Sequence, residues 1–212
     1  MPLSSLHADI DIPVVDLWTL YLENPKPYPD DHRKFPPFNF HPLEKLTYPA
    51  LLIDADTGRS YNRAQIRAQS IRFGQGLKHL FGWAKGDVLA FFTPNCVDTP
   101  VVNLGLHWAA GVASPANPTY TVDELARQLR DARAKALITQ TSVLDAALQA
   151  ADKAGLPRDR VLLMGDGRHQ GFRHWTDVTA KGAWLAPKKT PVDATKDLAY
   201  LVYSSVGQRM FT

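Results

Sequence analysis

The chain has 212 residues, of which 45% are apolar and 21% are charged, and its formal net charge is +3. These proportions are typical of a soluble globular protein and exclude an intrinsically disordered chain. No apolar stretch reaches the roughly 20 residues that a membrane-spanning helix needs. The basic residues are dispersed, which is not typical of a nucleic-acid-binding face. We therefore expect neither nucleic acid nor a membrane span.

The cysteine content and the amino terminus bear on localisation. Cys96 is the single cysteine, which excludes an intramolecular disulfide and is compatible with a reducing compartment. The first residues, MPLSSLHADIDIP, lack the basic region and apolar run of a secretory signal. A cytoplasmic location is expected.

Residues 1–50 are predicted to form an amino-terminal helix and an extended arm packed on the core. Residues 16–22 are predicted to be a short helix with Asp16 as its N-cap. Seven of the sixteen prolines lie between residues 25 and 49, and each fixes φ and removes an N–H donor. This proline-rich stretch is therefore expected to run extended over a surface made by later residues.

Residues 51–205 are predicted to form an α/β domain that begins with two short extended segments, 51–53 and 59–61. A helix is predicted from about residue 62 to residue 80, ended by Gly82. Its proposed buried face follows helical spacing and consists of Ile66, Phe73, Leu77 and Leu80.

Strands and helices alternate over the rest of this domain. An apolar helix is predicted over 97–110, and a further helix is predicted over 144–153. Between them, Thr121 and Glu124 match a capping box that opens a helix with Leu125, Leu129 and Ala132 inside. Such alternation predicts a largely parallel sheet with helices on both faces. The predicted strands are 88–92, 111–114, 136–139, 160–164 and 197–203, with residues 115–118 breaking the second.

Most motifs that suggest chemistry favour a structural interpretation. The glycines of 165–171 depart from the dinucleotide-binding spacing, and a surface turn is favoured there, with His169 and His174 in a polar loop. No histidine has metal-ligand spacing and no serine lies in a nucleophile elbow, so we predict no metal site and identify no catalytic residue. The exception is the end of the last strand, where Tyr203, Ser204 and Ser205 form a hydroxyl-rich exit of the kind that contacts phosphate.

Four stretches together resemble the adenylate-forming, AMP-binding superfamily, most closely fungal and plant 4-coumarate–CoA ligase-like enzymes. They are Lys-Gly-Asp-Val at 85–88, Pro-Asn at 94–95, the segment 110–125, and the strand and exit at 197–205. The resemblance covers about residues 12–205 and implies the first subdomain of the ligases' amino-terminal domain.

The resemblance implies a reaction and its cofactors. Intact family members convert a small carboxylic acid and Mg·ATP into an acyl-adenylate and then usually into an acyl-CoA. Their phosphate loop reads approximately Tyr-Ser-Ser-Gly-Thr-Thr-Gly-x-Pro-Lys-Gly. This sequence retains Tyr203, Ser204 and Ser205, has Val206 in place of the first glycine, and diverges over 206–212. We therefore expect only the amino-terminal portion of such a ligase, truncated at the loop, with no cofactor tightly bound and no adenylation by this chain alone.

Two further expectations follow from the resemblance. Surfaces that the missing part covers in the family would be bare, which favours self-association or a partner. The alternative function is a stand-alone protein that retains the fold and has been repurposed for binding, scaffolding or an ATP-independent reaction.

Overall fold

The structure, a computed structural model, describes residues 14–23, 51–179 and 188–203. The predictions made for the proline-rich stretch 25–49, for Ser204 and Ser205, and for the tail 206–212 lie outside these ranges. Within them, no helix has the length and apolar character needed to cross a bilayer.

A five-stranded parallel sheet is the centre of the domain, and a small antiparallel pair precedes it. The antiparallel pair is β1 (Leu52–Ile53) and β2 (Ser60–Tyr61). The five strands of the main sheet are β3 (Val88–Phe92), β4 (Val112–Ala116), β5 (Ala134–Thr139), β6 (Val161–Leu163) and β7 (Arg173–His174).

Within the described residues, five α-helices cover the two faces of this sheet. Alternate residues of β3 point to opposite faces, because side chains alternate along a strand. Leu89 and Phe91 face one apolar cluster, whereas Ala90 and Phe92 face the other. The first cluster holds residues of α1 (Arg63–Phe81), α2 (Thr99–Trp108) and α5 (Trp175–Val178), and the second those of α3 (Val122–Asp131) and α4 (Leu144–Ala154).

The predicted fold class is confirmed, as are the cores of the predicted strands 88–92, 136–139 and 160–164 and of the four predicted helices that correspond to α1, α2, α3 and α4. The α3 capping box is present: Thr121 Oγ1 accepts from the Glu124 N–H, and the Glu124 carboxylate accepts from the Thr121 N–H. Gly82 ends α1 in the left-handed conformation, with φ of 55°. The sequence therefore predicted both ends of the longest helix to within one residue, because α1 spans Arg63–Phe81 and was predicted from about residue 62 to residue 80.

Three local predictions are wrong. Leu80 was placed on the buried face of α1, but it is 46% exposed and Phe81 is buried instead.

The second error concerns the second predicted strand, which does not break at Pro115 but continues to Ala116. Ala113 directs its N–H and C=O away from β3. Pro115 lies two residues further along the strand, so its backbone groups are directed to the same side as those of Ala113. The N–H that proline lacks would therefore not have bonded to β3, and no hydrogen bond of the sheet is lost.

The third error concerns the last predicted strand, 197–203. The structure has a single parallel bridge there, between Ala113 and Tyr200, supported by Ala113 N–H donating to Ala199 O and Leu201 N–H donating to Ala113 O. The segment therefore touches the free edge of β4 at one point and does not form a full strand.

The amino-terminal helix is present in altered form. Asp16 accepts a hydrogen bond from the Thr19 N–H at 3.0 Å, as an N-cap does, and a π-helical turn spans Thr19–Glu23. Trp18 is fully buried in the cluster that also holds residues of α1 and α2. Lys189 forms an ion pair with Asp16 at 2.9 Å, which connects this helix to the segment 188–203.

Three glycines allow α1 to lie unusually close to its neighbours. A Cβ at Gly74 would lie 2.6 Å from Gly105 O, and one at Gly105 would lie 2.6 Å from Ser70 O. A Cβ at Gly76 would lie only 1.6 Å from Val178 O of α5. Because the nearest atom in each case is a backbone oxygen, a substitution at these positions must displace a helix.

We predict that Gly76→Ala destabilises the domain even though alanine is the better helix former. Helix propensity favours alanine by about 1 kcal/mol, but overpacking against backbone costs about 1–3 kcal/mol or more. Urea unfolding should therefore show a lower midpoint for Gly76→Ala. Gln75→Ala, at the partly buried neighbouring position, is the control and should be close to the wild type. An equal or higher midpoint for Gly76→Ala would contradict the close α1–α5 packing.

Candidate functional site

The strand order of the main sheet indicates where a ligand is expected. The order β4-β3-β5-β6-β7 corresponds to 2-1-3-4-5 in chain order, one of the two common doubly wound orders. The connections after β3 and β5 leave in opposite directions, because β3 leads to β4 on one side and β5 leads to β6 on the other. In such sheets the ligand crevice lies outside the carboxyl ends of these two strands.

In this chain the crevice between β3 and β5 is bridged by a side chain. Gln140 follows β5, and its Nε2 donates to Thr93 Oγ1 at 2.6 Å and to Pro94 O at 2.8 Å, both just after β3. The amide thus occupies the point where the two loops diverge. The usual ligand position of this topology is therefore closed by the protein's own hydrogen bonds.

A buried carboxylate, Asp98, lies beside this bridge at the start of α2. Its side chain is fully buried. Its Oδ1 accepts from Arg59 Nη1 and from the Tyr61 hydroxyl, both at 2.6 Å, and its Oδ2 accepts from the Gly165 N–H at 3.0 Å. Arg59 also pairs with Asp166 at 2.9 Å. We call these five residues the Asp98 network.

Charge and burial set the protonation states in the Asp98 network. Burial alone would raise the pKa of Asp98, but the hydrogen bonds from Tyr61, Arg59 and Gly165 outweigh it and lower that pKa below its ordinary value. Burial and the neighbouring carboxylate raise the pKa of Tyr61. Asp98 is therefore an ionised acceptor that is engaged at both oxygens, and Tyr61 is a protonated donor at neutral pH. This arrangement fits a fixed structural tie better than a proton-transfer group.

His174 extends the same carboxyl edge at β7, where the sequence had placed a polar loop. The residue is 5% exposed; its Nε2 lies 2.9 Å from Gly165 O and its Nδ1 lies 2.8 Å from Thr176 Oγ1. Burial lowers its pKa, so the ring is neutral at pH 7. The prediction of a surface turn with His174 in a polar loop is therefore wrong at this residue.

The sequence did not single out Asp98, although it contained a signal. Asp98 is a charged residue that stands directly before a largely apolar helix and shortly after a continuous buried strand. This position lies at the carboxyl edge of a parallel sheet, where functional residues are expected. Nothing comparable marked His174, because β7 has only two residues and α5 only four.

Of the three residues predicted from the sequence, Tyr203 lies within the described residues, whereas Ser204 and Ser205 do not. Tyr203 packs with Leu201 against Val88 and Val112, which begin β3 and β4. Its hydroxyl donates to Asp131 Oδ2 at 2.5 Å, at the end of α3. Burial and this carboxylate raise the pKa of Tyr203 to about 12.

The phenol of Tyr203 is therefore engaged at the amino edge of the sheet. The structure does not bring it together with the Asp98 network, which lies at the carboxyl edge. Among the described ranges, no cluster of three or more His, Cys, Asp or Glu side chains is placed to hold a metal ion.

These features define a doubly wound α/β domain whose last segment runs along β4 and is held by Tyr203. The model of the family described as AMP-binding enzyme matches residues 43–205. The chain belongs to this family, and its fold is that of the amino-terminal α/β part of adenylate-forming ligases.

Curated relatives point in the same direction. The chain is 27% identical to 4-coumarate–CoA ligase-like 1 of Arabidopsis thaliana over 187 residues, covering 88% of this chain and 32% of that protein. It is 29% identical to the acyl-CoA ligase azaF of Aspergillus niger over 182 residues, covering 83% of this chain and 31% of the relative. The chain thus spans about a third of the length of these relatives.

Solved structures agree on the fold. The apo structure of MbtA from Mycobacterium smegmatis superposes with a TM-score of 0.62 at 27% identity, covering 75% of this chain and 29% of MbtA. The five-stranded sheet and its flanking helices are therefore shared with enzymes much longer than this chain.

We predict that Asp98→Asn destabilises the domain in a pH-dependent way. Because the folded-state pKa of Asp98 is lowered, its contribution is fully present above the unfolded-state pKa of about 3.9 and is lost as pH falls through the lower folded-state value. The substitution should cost about 1.5–3 kcal/mol at pH 7, the range for a hydrogen bond to a charged group. The difference from the wild type should shrink below about pH 4.

Urea unfolding at pH 7 and pH 3 measures this difference. Asp56→Asn, at an exposed position in the β1–β2 turn, is the matched control and should change stability by less than about 0.5 kcal/mol at either pH. If Asp98→Asn lowered the free energy of unfolding by the same amount at both pH values, the ionised form of the Asp98 carboxylate would not be the source of the stability.

Proposed function

We propose that this chain provides the sheet domain, and the approach to the phosphate loop, of an acyl-CoA ligase-like adenylate-forming enzyme, and that these 212 residues alone do not adenylate a carboxylic acid. One observation carries the proposal. The family match ends at Ser205, immediately before the position where Val206 replaces the glycine of the family's loop.

The physical reason lies in what a triphosphate requires. A phosphate-binding loop presents successive backbone N–H groups, and several of its residues need the conformational freedom of glycine. Transfer to or from a phosphate also needs cationic stabilisation of the developing charge. Val206 is β-branched and disfavours positive φ, and residues 206–212 contain neither the family's paired threonines nor its lysine.

At the carboxyl edge of the sheet, within the described residues, we identify no free groups that could replace the family's phosphate-binding loop. The Gln140 amide donates to Thr93 and Pro94, and both carboxylate oxygens of Asp98 accept hydrogen bonds. A nucleotide would have to break these bonds before it could use the same groups. ATP, Mg²⁺ and CoA are therefore proposed as cofactors of the longer enzymes, with a small carboxylic acid as substrate, and none is proposed to bind this chain tightly. We propose the cytoplasm as its location.

We predict no ATP–pyrophosphate exchange above background when the purified chain is given MgATP and a panel of aryl and alkyl carboxylic acids. An intact 4-coumarate–CoA ligase is the positive control. Calorimetric titration with ATP and AMP should show dissociation constants weaker than about 1 mM, which corresponds to about 4 kcal/mol of binding free energy.

The two measurements separate the possible outcomes. Exchange comparable with that of the intact ligase would contradict the proposed inactivity. Tight binding of an organic ligand without exchange would instead favour the alternative, a repurposed stand-alone binding or scaffolding protein.

We also propose that the chain associates with a second copy of itself. Leu198, Tyr200 and Val202 are 63%, 43% and 74% exposed, and they alternate along the segment beside β4. In the described structure the backbone of this segment pairs with the sheet only at the Ala113–Tyr200 bridge, and no described strand pairs with its other edge. An exposed apolar edge of this kind favours pairing with another chain.

We predict that Val202→Lys weakens this self-association by at least about tenfold in sedimentation equilibrium, because a charge on an edge disfavours edge-to-edge contact. Leu80→Lys is the control, since Leu80 is 46% exposed on α1 and lies outside this segment. A wild-type chain that is strictly monomeric at high micromolar concentration would exclude the proposal, as would an equal effect of both variants.

A further inference from the structure

A cationic groove lies at the amino edge of the sheet, between the end of α3 and the end of α4. Its volume is about 450 Å³. None of its lining residues is an aspartate or a glutamate, whereas four are cationic, namely Arg130, Arg133, Lys135 and Arg160. We call this feature the amino-edge groove.

The four cationic side chains of the groove are held mainly by neutral groups. Arg130 donates to Lys153 O at 2.9 Å, and Arg160 donates to Phe81 O at 3.3 Å while its guanidinium lies over the Phe81 ring. Lys135 is the exception, because it pairs with Asp87. Within the described residues, the Arg133 side chain makes neither a hydrogen bond nor an ion pair.

Compensation of the helix ends accounts for only part of this charge. The carboxyl ends of α3 and α4 both face the groove, and the carboxyl end of α1 accepts from two of the cations, Arg160 at Phe81 O and Lys135 at Gly82 O. Each helix end is equivalent to about half a negative charge, so the three ends and the carboxylate of Asp87 offset about two and a half of the four positive charges. An excess of about one and a half positive charges remains on the lining, which favours an anion.

From this arrangement we infer that the amino-edge groove binds a soluble, small organic phosphate monoester. Guanidinium groups match phosphate oxygens through paired hydrogen bonds, and three of the four cations are arginines. Leu129, Leu156 and Pro157 supply an apolar wall for an organic group. The volume is in the range of small-molecule sites.

This groove is independent of the proposed function. It lies at the ends of α3 and α4, where β5 and β6 begin, whereas Gln140 and Asp98 lie at the carboxyl ends of the strands. Occupation of the groove requires neither Ser204 nor Ser205. Failure of adenylation and failure of binding here are therefore separate results.

Titration of the full chain with phenyl phosphate, followed by calorimetry at low salt, tests the inference. Arg133→Asn removes the cation that has no side-chain partner among the described residues. The substitution suits the backbone, because Arg133 has φ of 49° and asparagine tolerates this region better than most residues. Binding by this variant should be weaker by at least about tenfold, the change expected for one lost hydrogen bond to a charged group. Arg127→Gln, which removes the same charge from an exposed position of α3 outside the groove, should bind as the wild type does.

The controls define what would overturn the inference. Phenol, which lacks the phosphate, should not bind, and raising the salt concentration should weaken binding of phenyl phosphate. Absence of saturable binding, or equal weakening by Arg133→Asn and Arg127→Gln, would overturn it. Retention on vesicles containing phosphatidic acid without binding of phenyl phosphate would also overturn it, because the site would then recognise a lipid surface.

Discussion

The buried carboxylate of Asp98 is the interaction on which the carboxyl edge of this domain depends. It joins β2, through Arg59 and Tyr61, to the start of α2 and to the loop after β6. A buried ion of this kind is costly unless it is hydrogen-bonded, and here three protein donors bond to its two oxygens. The same bonds that make the edge rigid leave Asp98 without a free oxygen for a ligand, and Gln140 closes the neighbouring crevice in the same way.

Sequence reasoning predicted the architecture because long elements carry strong periodic signals. Helix α1 and strand β3 followed from the spacing of apolar residues and from a continuous apolar run. The errors occur where the signal is short or where packing decides. The buried stripe of α1 continues from Leu77 to Phe81, four residues on, whereas Leu80 lies at the helix end and faces solvent. No periodicity could indicate a strand as short as β7.

The candidate site was only partly predictable for a different reason. The resemblance identified Tyr203, Ser204 and Ser205 from the order of residues alone, but it contained no information about where the phenol is directed. The structure places the Tyr203 hydroxyl on Asp131 and the ring on Val88 and Val112, so this tyrosine acts as an anchor for the segment beside β4. Asp98 and His174 are held by partners far from them in sequence or by backbone groups, and such contacts leave little trace in local sequence.

We propose a separation between the approach to the phosphate loop, which residues 197–205 supply, and the glycine-rich loop and lysine that a triphosphate needs, which residues 206–212 do not supply. An NMR titration of the isotope-labelled chain with MgATP, followed at the backbone amides of Ser204, Ser205 and Gly207, tests this separation most directly. The account predicts no saturable shift of these three amides at millimolar nucleotide. Saturable shifts at all three, with a submillimolar dissociation constant, would show that the chain seats the phosphates by itself and would contradict the account.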